Sequence, residues 1–245
     1  SEEEAIAPEY AGLRMYDPPI WGYGDANDPM FEELKKKEAV GEQFLLPDAW
    51  LPDAKSVISF FIPFTDEVKK SNWTDAAEPS AQWLHARIEG QRFVIAVCDE
   101  IQRILKEEGI ISVIPASDPR FESVTKPDPE RGEKWQGASY TSNWSERHVA
   151  FVCGLGTFGL SKGLITEKGI AGRLGSLIVS ERFEPRKREY TDIYEYCTRC
   201  GACIRRCPAG AISLKNGKEH LPCDQFLEET KKKYAPRYGC GKCQT

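Results

Sequence analysis

Histidine is scarce in this 245-residue sequence, and long apolar runs are absent. None of the three histidines, His85, His148 and His220, is spaced from another histidine or from a carboxylate pair as metal ligands usually are, so we assign them no role. No stretch approaches the roughly 18 apolar residues of a membrane span. The acidic N-terminus lacks the basic and apolar regions of a secretory signal and the arginine pair of an export leader. The sequence therefore predicts a cytoplasmic protein with no membrane partner.

Cysteine, in contrast, is concentrated near the C-terminus, where seven of the nine cysteines lie in the last fifth of the chain. The first four follow the pattern C-x2-C-x2-C-x3-C-P, which binds [4Fe-4S] clusters in bacterial ferredoxins. They are Cys197, Cys200, Cys203 and Cys207, followed by Pro208. Three thiolates on one tight loop bind three corners of a cluster, whereas the fourth is carried away to ligate a different cluster. The pattern predicts an electron carrier in an anaerobic setting.

The remaining cysteines of this segment predict a second [4Fe-4S] cluster. Cys223, Cys240 and Cys243 are the obvious partners of Cys207. This assignment leaves four ligands for one cluster and three for the other. Two explanations remain open: the missing ligand lies beyond Thr245, which we favour, or the first cluster has an iron without a cysteine ligand.

Zinc and disulfides are the alternatives for these cysteines. A zinc ribbon also uses C-x2-C spacings, but it needs two such pairs and has no third cysteine at the same three-residue spacing. Disulfides require an oxidising compartment, and seven cysteines is an odd number. The spacing therefore favours iron and sulfide.

The net charge of −5 conceals an asymmetry between the two ends of the chain. Residues 197–245 contain ten Lys and Arg against four Asp and Glu, which leaves −11 for the rest. A [4Fe-4S] core with its thiolates is negatively charged, so cations such as Arg199, Arg205 and Arg206 offset that charge and raise the reduction potential. The alternative is a patch that binds an anion of the size of tRNA.

The region before the cysteines has the pattern of a layered α/β domain. Residues 56–62 are an apolar run that predicts a buried strand, and residues 81–108 contain no proline and predict a long helix with Cys98 on its apolar face. Residues 110–115 predict another strand. Strand, long helix and strand in this order indicate a layered α/β fold. Residues 116–137 predict a long loop of the kind that often forms a lid or a binding loop.

The first 28 residues are rich in Pro, Gly, Tyr and Asp. This composition predicts a segment that wraps over the surface with Trp21 and Tyr23 as anchors. Asp28-Pro29 then predicts a short helix that extends to about residue 37.

One G-x-G-x-x-G motif occurs, at Gly154, Gly156 and Gly159. Alone it would suggest a dinucleotide-binding turn, but the residues after it carry Gly163 and Gly169 and make a poor helix, so a Rossmann site is not favoured. Glycines at this spacing predict a close approach of the backbone to another large planar or anionic ligand. Cys153, just before the motif, is predicted to be a small buried residue.

The order of these features resembles the epoxyqueuosine reductases, whose relatives include the corrinoid-dependent reductive dehalogenases. The resemblance rests on residues 54–59 after a Pro-rich turn, Glu146-Arg147, the Gly154-Leu155-Gly156 motif, and the two groups of cysteines. It spans about residues 45–245.

The resemblance implies both a fold and a set of cofactors. A nitroreductase-like α/β/α layer domain at residues 46–190 would bind a cobalamin, and a ferredoxin-like module at residues 191–245 would hold two [4Fe-4S] clusters, with residues 1–45 as a preceding segment. A low-potential donor such as ferredoxin or flavodoxin would supply electrons. The implied cofactor-binding residues are Tyr140, Thr141, Ser142, Arg147, Gly154, Leu155, Gly156 and Gly159. A further cysteine after the last pair is also implied.

The sequence departs from the family at the catalytic acid. Epoxyqueuosine reductases have an Asp in an Asp-Ser-Ala-Pro stretch, where this chain has Tyr140-Thr141-Ser142-Asn143. A tyrosine can deliver a proton if a neighbouring cation or hydrogen bond lowers its pKa from about 10, and the related dehalogenases use a tyrosine. Tyr140 is therefore the candidate acid, although it could also line a pocket without a proton role.

The predicted function is an iron–sulfur reductase that uses cobalamin. Its substrate, a small molecule or a tRNA, is left open by the loss of the acidic residue. The alternative is a cobalamin-free protein that transfers electrons or handles corrinoids, and a flavin in place of the corrinoid is a third option.

Overall fold

The computed structural model describes residues 8–245 as a mixed α/β structure. Its strands are β1 (Ile20–Asp25), β2 (Ser56–Pro63), β3 (Ser112–Val113), β4 (Ser123–Val124), β5 (Thr141–Ser142), β6 (Gly156–Phe158), β7 (Leu164–Thr166), β8 (Gly172–Val179), β9 (Ile212–Ser213) and β10 (Gly217–Lys218). Its helices are α1 (Pro29–Glu33), α2 (Pro47–Trp50), α3 (Asp66–Thr74), α4 (Ala81–Glu107), α5 (Glu146–Val152), α6 (Ala202–Arg205) and α7 (His220–Tyr234).

A four-stranded sheet in the order β1-β2-β8-β3 forms the centre, and all its neighbouring strands are antiparallel. Strands β2 and β3 both run antiparallel to β8 and therefore run in the same direction. The chain joins them by a crossover through α4 that passes over β8. The predicted strand and long helix are confirmed with nearly the predicted bounds. The predicted strand at 110–115 is shorter, because only Ser112 and Val113 pair with β8.

Both faces of the sheet are covered, since all eight residues of β2 are buried. Phe60 belongs to the core on the α4 side, together with Val94 and Cys98. Val57 belongs to the opposite core with Val149 of α5. Burial of each such apolar side chain contributes roughly 2 kcal/mol to stability. Cys98 is 3% exposed, which confirms its predicted place in the core.

The expectation that residues 1–28 wrap over the surface is wrong for residues 20–25. These residues form β1, which pairs with β2 along its whole length. The close packing of Gly22 explains the composition, because a Cβ there would overlap the carbonyl group of Cys153. The glycines in this segment, which usually indicate turns, are needed here for close packing of a strand, and the sequence therefore did not predict β1. The predicted helix after Asp28 ends at Glu33, and the expectation for residues 1–7 lies outside the described residues.

The predicted long loop at residues 116–137 folds back on the chain. Its strand β4 pairs with β5, directly after Tyr140. The amide side chain of Asn143 fixes this arrangement, since its Oδ1 accepts a hydrogen bond from the Glu122 N–H at 2.9 Å and its Nδ2 donates to the Arg120 carbonyl at 2.8 Å. The loop therefore positions the segment that contains the candidate acid.

Helix α4 is 27 residues long but carries charged residues along its length. Within residues 8–245, no helix has both the length and the apolar character that crossing a bilayer requires.

Candidate iron–sulfur and cofactor sites

The loop that carries the first three of the seven cysteines turns sharply around Cys200. Arg199 has a φ of 52° and Gly201 a φ of 73°, and both values are left-handed, which is uncommon for a residue other than glycine. Cys203 follows within α6. The backbone thus brings three thiols onto one short loop, as the C-x2-C-x2-C pattern requires.

The electrostatic neighbours of the cysteines fall into two groups. Burial raises the pKa of the Cys203 thiol, and the nearby Cys197 and Cys200 raise it further. Burial also raises the pKa of the Cys243 thiol to about 11, with a lowering contribution from Lys218 and raising contributions from its neighbours. Those neighbours are Cys240, Cys223 and Cys207. The groups have the same members as the two predicted ligand sets.

The cysteines are in a state suited to cluster binding. All nine are free of disulfide bonds. Cys200 of the first group is exposed to solvent, whereas Cys240 of the second group is buried enough for burial to raise the pKa of its thiol. In the described part of the chain, no three His, Cys, Asp or Glu side chains could hold a single metal ion together. Each thiolate of a [4Fe-4S] cluster binds its own iron, so its ligands are spread around the cluster rather than around one ion.

Tyr140 lies against helix α7 of the C-terminal module. Its ring stacks on that of His220, with centroids 4.6 Å apart and planes at 10°. Burial raises the pKa of the Tyr140 hydroxyl, and so do the charge of Asp224, a hydrogen bond to that carboxylate and the nearby Cys223. The condition of a lowered pKa, which we set for a tyrosine acid, is therefore not met. The hydroxyl instead keeps its proton at neutral pH.

Arg147 is partly accessible to solvent, but many protein atoms lie around its guanidinium. Burial lowers the pKa of its guanidinium, and Cys243 is close enough to raise it. The Arg147 charge in turn contributes to the lowered pKa values of His148 and His220, both about 4 and both due mainly to burial. Within residues 8–245 no side chain or backbone group forms a hydrogen bond or ion pair with Arg147. The guanidinium is thus exposed near Cys243 of the second cysteine group and is available to a ligand.

The hydroxyl groups of the other two predicted residues in this segment hold the local structure. Thr141 Oγ1 donates to the Val40 carbonyl at 3.1 Å and accepts from Gln43 Nε2 at 3.0 Å. Ser142 Oγ donates to the Trp144 carbonyl at 2.7 Å. A ligand would therefore meet the backbone of these residues more readily than their side chains.

The glycine motif forms a hairpin of β6 and β7 rather than the start of a helix. A Cβ on Gly156 would overlap the Ile165 carbonyl, and one on Gly159 would lie 3.1 Å from Ile165 Cδ1. The backbone approaches its own neighbouring strand at these positions. Leu155 is buried at 2% exposure. Close packing of the chain therefore explains Gly156 and Gly159 without a ligand.

A cavity of about 300 Å³ borders the motif on one side. It is lined by Gly154, Leu155, Ile165, Thr166, Glu167, Arg186, Glu189 and Tyr196. Its size is at the lower end for a small-molecule site. A corrin macrocycle with its side chains is too large for it.

Sequence reasoning missed two partners of Tyr140. His220, to which we assigned no role, stacks on its ring, and Asp224 lies near enough to raise the pKa of its hydroxyl. His220 Nε2 also lies 3.1 Å from Lys162 Nζ, so the neutral imidazole accepts from the ammonium. No local pattern marks these residues, because they lie some 80 positions from Tyr140 in the sequence.

Glu146, directly before Arg147, is a buried acid without a hydrogen-bond partner. Neither carboxyl oxygen has one among the described residues. The Ser176 hydroxyl, which accepts a hydrogen bond from Trp144 Nε1 at 2.9 Å, is near enough to lower the pKa of Glu146. Burial is the larger influence and raises the pKa of Glu146 to about 7 from 4.5.

We expect Glu146→Gln to remove a pH dependence of stability. Because the pKa is raised in the folded protein, the stabilising contribution of the neutral carboxyl is complete below about pH 4.5 and is lost as the pH rises to about 7. The loss amounts to roughly 3 kcal/mol. Urea unfolding of the wild type and the variant at several pH values measures the difference. An exposed control, Glu38→Gln, should follow the wild type, and a Glu146→Gln profile parallel to the wild type would contradict the assignment.

Comparisons with known proteins support the iron–sulfur interpretation and the fold. The family of 4Fe-4S binding domains matches residues 190–213, and this match supports a [4Fe-4S] cluster. Curated protein sequences give no match to the chain.

Three solved structures of epoxyqueuosine reductases are similar to this chain. One from Streptococcus thermophilus has 18% identity and a TM-score of 0.50, with 92% of this chain and 60% of that chain covered. One with a tRNA-Tyr epoxyqueuosine-modified stem loop has 22% identity and a TM-score of 0.54, with coverages of 96% and 62%. A selenomethionine-labelled one has 21% identity and a TM-score of 0.50, also with 96% and 62%.

These likenesses confirm the predicted resemblance at the level of the fold. The chain spans about three fifths of the length of the structures that it matches.

Proposed function

We propose that this chain is an iron–sulfur reductase in which two [4Fe-4S] clusters would deliver electrons to a cobalamin bound in a cleft beside Tyr140 and Arg147. One observation carries the proposal: residues of the α/β part lie against ligands of one cysteine group. Cys243 is near enough for its charge to act on the pKa of Arg147, and Tyr140 stacks on His220 of helix α7, which also carries Cys223. A cofactor in this cleft would be close to the cluster that feeds it.

The two clusters would be held by the two groups of cysteines. Cys197, Cys200 and Cys203 would bind the more exposed cluster, and the other four would bind the cluster nearer the cleft. The first would accept electrons from a low-potential donor such as ferredoxin or flavodoxin, because its Cys200 is at the surface. The second would pass them on.

The donor groups of the cleft fit a cobalamin in part. The free guanidinium of Arg147 and the flat surface of the Tyr140–His220 pair suit a large polar ligand with a planar ring. Gly156 and Gly159 do not contribute, since the chain itself fills the space above them. Reduced cobalamin, when bound, supplies a strongly reducing cobalt centre.

Tyr140 would supply the proton. Its raised pKa keeps the hydroxyl protonated until a stronger base develops on the substrate, and the stack on His220 holds the ring in place. The proton would leave the tyrosine oxygen for the substrate.

We expect Tyr140→Phe to reduce turnover by about 10² to 10⁴-fold, the usual contribution of a positioned acid. The ring stack on His220 is preserved in this variant, so the iron content and cofactor binding should be unchanged. Steady-state kinetics with candidate tRNA and small-molecule substrates measures the effect. Full turnover in the variant would assign the acid to another residue.

The absorption spectrum after anaerobic reconstitution tests the proposal as a whole. A cobalamin band that appears with added cobalamin and shifts on reduction would support it. Iron–sulfur absorption alone, with no cobalamin retained by intact clusters, would refute it in favour of the electron-transfer protein. A flavin spectrum would identify the third option. The proposed setting is the anaerobic cytoplasm, and the substrate class is a tRNA or a small molecule.

A further inference from the structure

Lys242 is a lysine with no solvent exposure. It lies between two cysteines of the second group, Cys240 and Cys243. Lysine is almost never fully buried unless its ammonium group is paired, because desolvation of the charge is costly. Its position therefore requires a specific set of acceptors.

The acceptors are backbone carbonyls at the C-terminal end of helix α3. Lys242 Nζ donates to the Asn72 carbonyl at 2.6 Å and to the Asp75 carbonyl at 2.8 Å. The last four carbonyls of a helix have no partner within the helix, and the negative end of the helix dipole attracts cations. Lys242 thus caps α3 from a distant part of the chain.

Arg206 reaches the same end of α3 from the other ligand loop. It directly precedes Cys207, and its guanidinium carbon lies 3.7 Å from the centroid of the Trp73 ring. Its Nη2 is 3.4 Å from the carbonyls of Asn72 and Trp73, and its Nε donates to the Lys242 carbonyl at 3.3 Å. The side chains of Lys242 and Arg206 therefore both bind the C-terminal end of α3.

Asn72 completes the contact from the side of the helix. Its side chain is fully buried; Nδ2 donates to the Cys240 carbonyl at 3.0 Å, and Oδ1 accepts from the N–H of Ser80 at 3.1 Å. Ser80 is the N-cap residue of α4. The turn between α3 and α4 is thereby tied to the ligand loop itself.

Gly241 lets the ligand loop come this close. Its φ is 68°, and a Cβ would overlap the indole ring of Trp83 in α4. Glycine adopts this conformation without a steric penalty.

We propose that the C-terminal end of α3 is the anchor of the second cluster, with Lys242 and Arg206 as positioning residues. They fix the ligand loops of Cys207, Cys240 and Cys243 against the α/β part and place two cations beside the cluster. Positive charge near a [4Fe-4S] cluster favours its reduced form. This inference rests on the proposed second cluster and does not depend on cobalamin or a substrate.

The test is a potentiometric titration followed by electron paramagnetic resonance on the reconstituted protein. We expect Lys242→Met, which keeps the chain length and removes the charge, to lower the reduction potential of one cluster and leave the other unchanged. The exposed Lys215→Met is the matched control and should change neither. The Lys242→Met apoprotein should also unfold at a lower temperature.

A second pair of variants decides the matter if Lys242→Met does not fold. Arg206→Gln should lower the reduction potential of the same cluster. Arg206→Lys should leave that potential close to the wild-type value, because lysine keeps the positive charge. Unchanged potentials in both Lys242→Met and Arg206→Gln would overturn the inference, as would equal shifts of both clusters. About four irons per chain in the reconstituted wild type would show that the chain holds one cluster, and would refute the proposed second cluster rather than the role of the two cations.

Discussion

Replacement of Cys207 by serine is expected to remove the second cluster and to spare the first. Cys207 is near enough to raise the pKa of the Cys240 and Cys243 thiols, whereas Cys197 and Cys200 are the thiols that raise the pKa of Cys203. Loss of one thiolate ligand usually prevents stable assembly of a cubane, so the iron and sulfide content should fall by about four atoms each per chain. Its Sγ also accepts a hydrogen bond from the Ala211 N–H at 3.3 Å, which serine can retain only in part.

Cys203→Ser is the matched variant, since it lies four residues away in the same motif. It should remove the first cluster and leave the second. Iron analysis and electron paramagnetic resonance of the reduced proteins should show that the two variants lose different signals. Loss of the same signal in both would show that the motif serves one cluster and would contradict the division of ligands.

The features that could be predicted from the sequence have local causes. The C-x2-C-x2-C-x3-C-P spacing is itself the shape of a cluster-binding loop, and the match at residues 190–213 supports its assignment. The uninterrupted apolar run of β2 predicted a strand buried on both faces. Cys98 could be placed in the core because it follows the apolar face of a 27-residue helix.

The features that could not be predicted depend on contacts between distant segments. Strand β1 consists of residues that usually mark turns, and only its pairing with β2 and its packing on Cys153 explain them. The same holds for Tyr140. Its pKa could not be inferred from neighbours in the sequence, since Asp224 and His220 approach it from another part of the chain.

Helix α7 links the two halves of the proposed machinery. Cys223 is a predicted cluster ligand, and His220 and Asp224 on the same helix contact Tyr140. Because a helix moves as a rigid element, a shift of the cluster would be transmitted to the hydroxyl of Tyr140. Cluster loss in Cys223→Ser should therefore disturb the candidate acid as well as electron delivery.

Glu89→Ala is expected to destabilise the folded chain by about 3 kcal/mol. Glu89, on α4, is 9% exposed, and its Oε1 is 2.6 Å from Arg237 Nε and 2.5 Å from Arg237 Nη2. This carboxylate holds the C-terminal segment on α4. Removal of one partner of a buried ion pair is usually strongly destabilising, and partial exposure of Arg237 places the cost at the lower end of the usual range.

The neighbouring His85 is not a second cation beside Glu89. Burial lowers the pKa of its imidazole, and the charge of Arg237 lowers it further, so His85 is neutral at pH 7. A loss of 3 kcal/mol corresponds to a decrease of roughly 6–12 °C in the melting temperature of a chain of this size. Thermal unfolding of the apoprotein at pH 7 measures it. Glu100→Ala breaks an exposed ion pair with Arg103 and should change the melting temperature little, because solvent screens exposed pairs. Equal melting temperatures for the two variants would show that the Glu89 pair does not hold the C-terminal segment on α4.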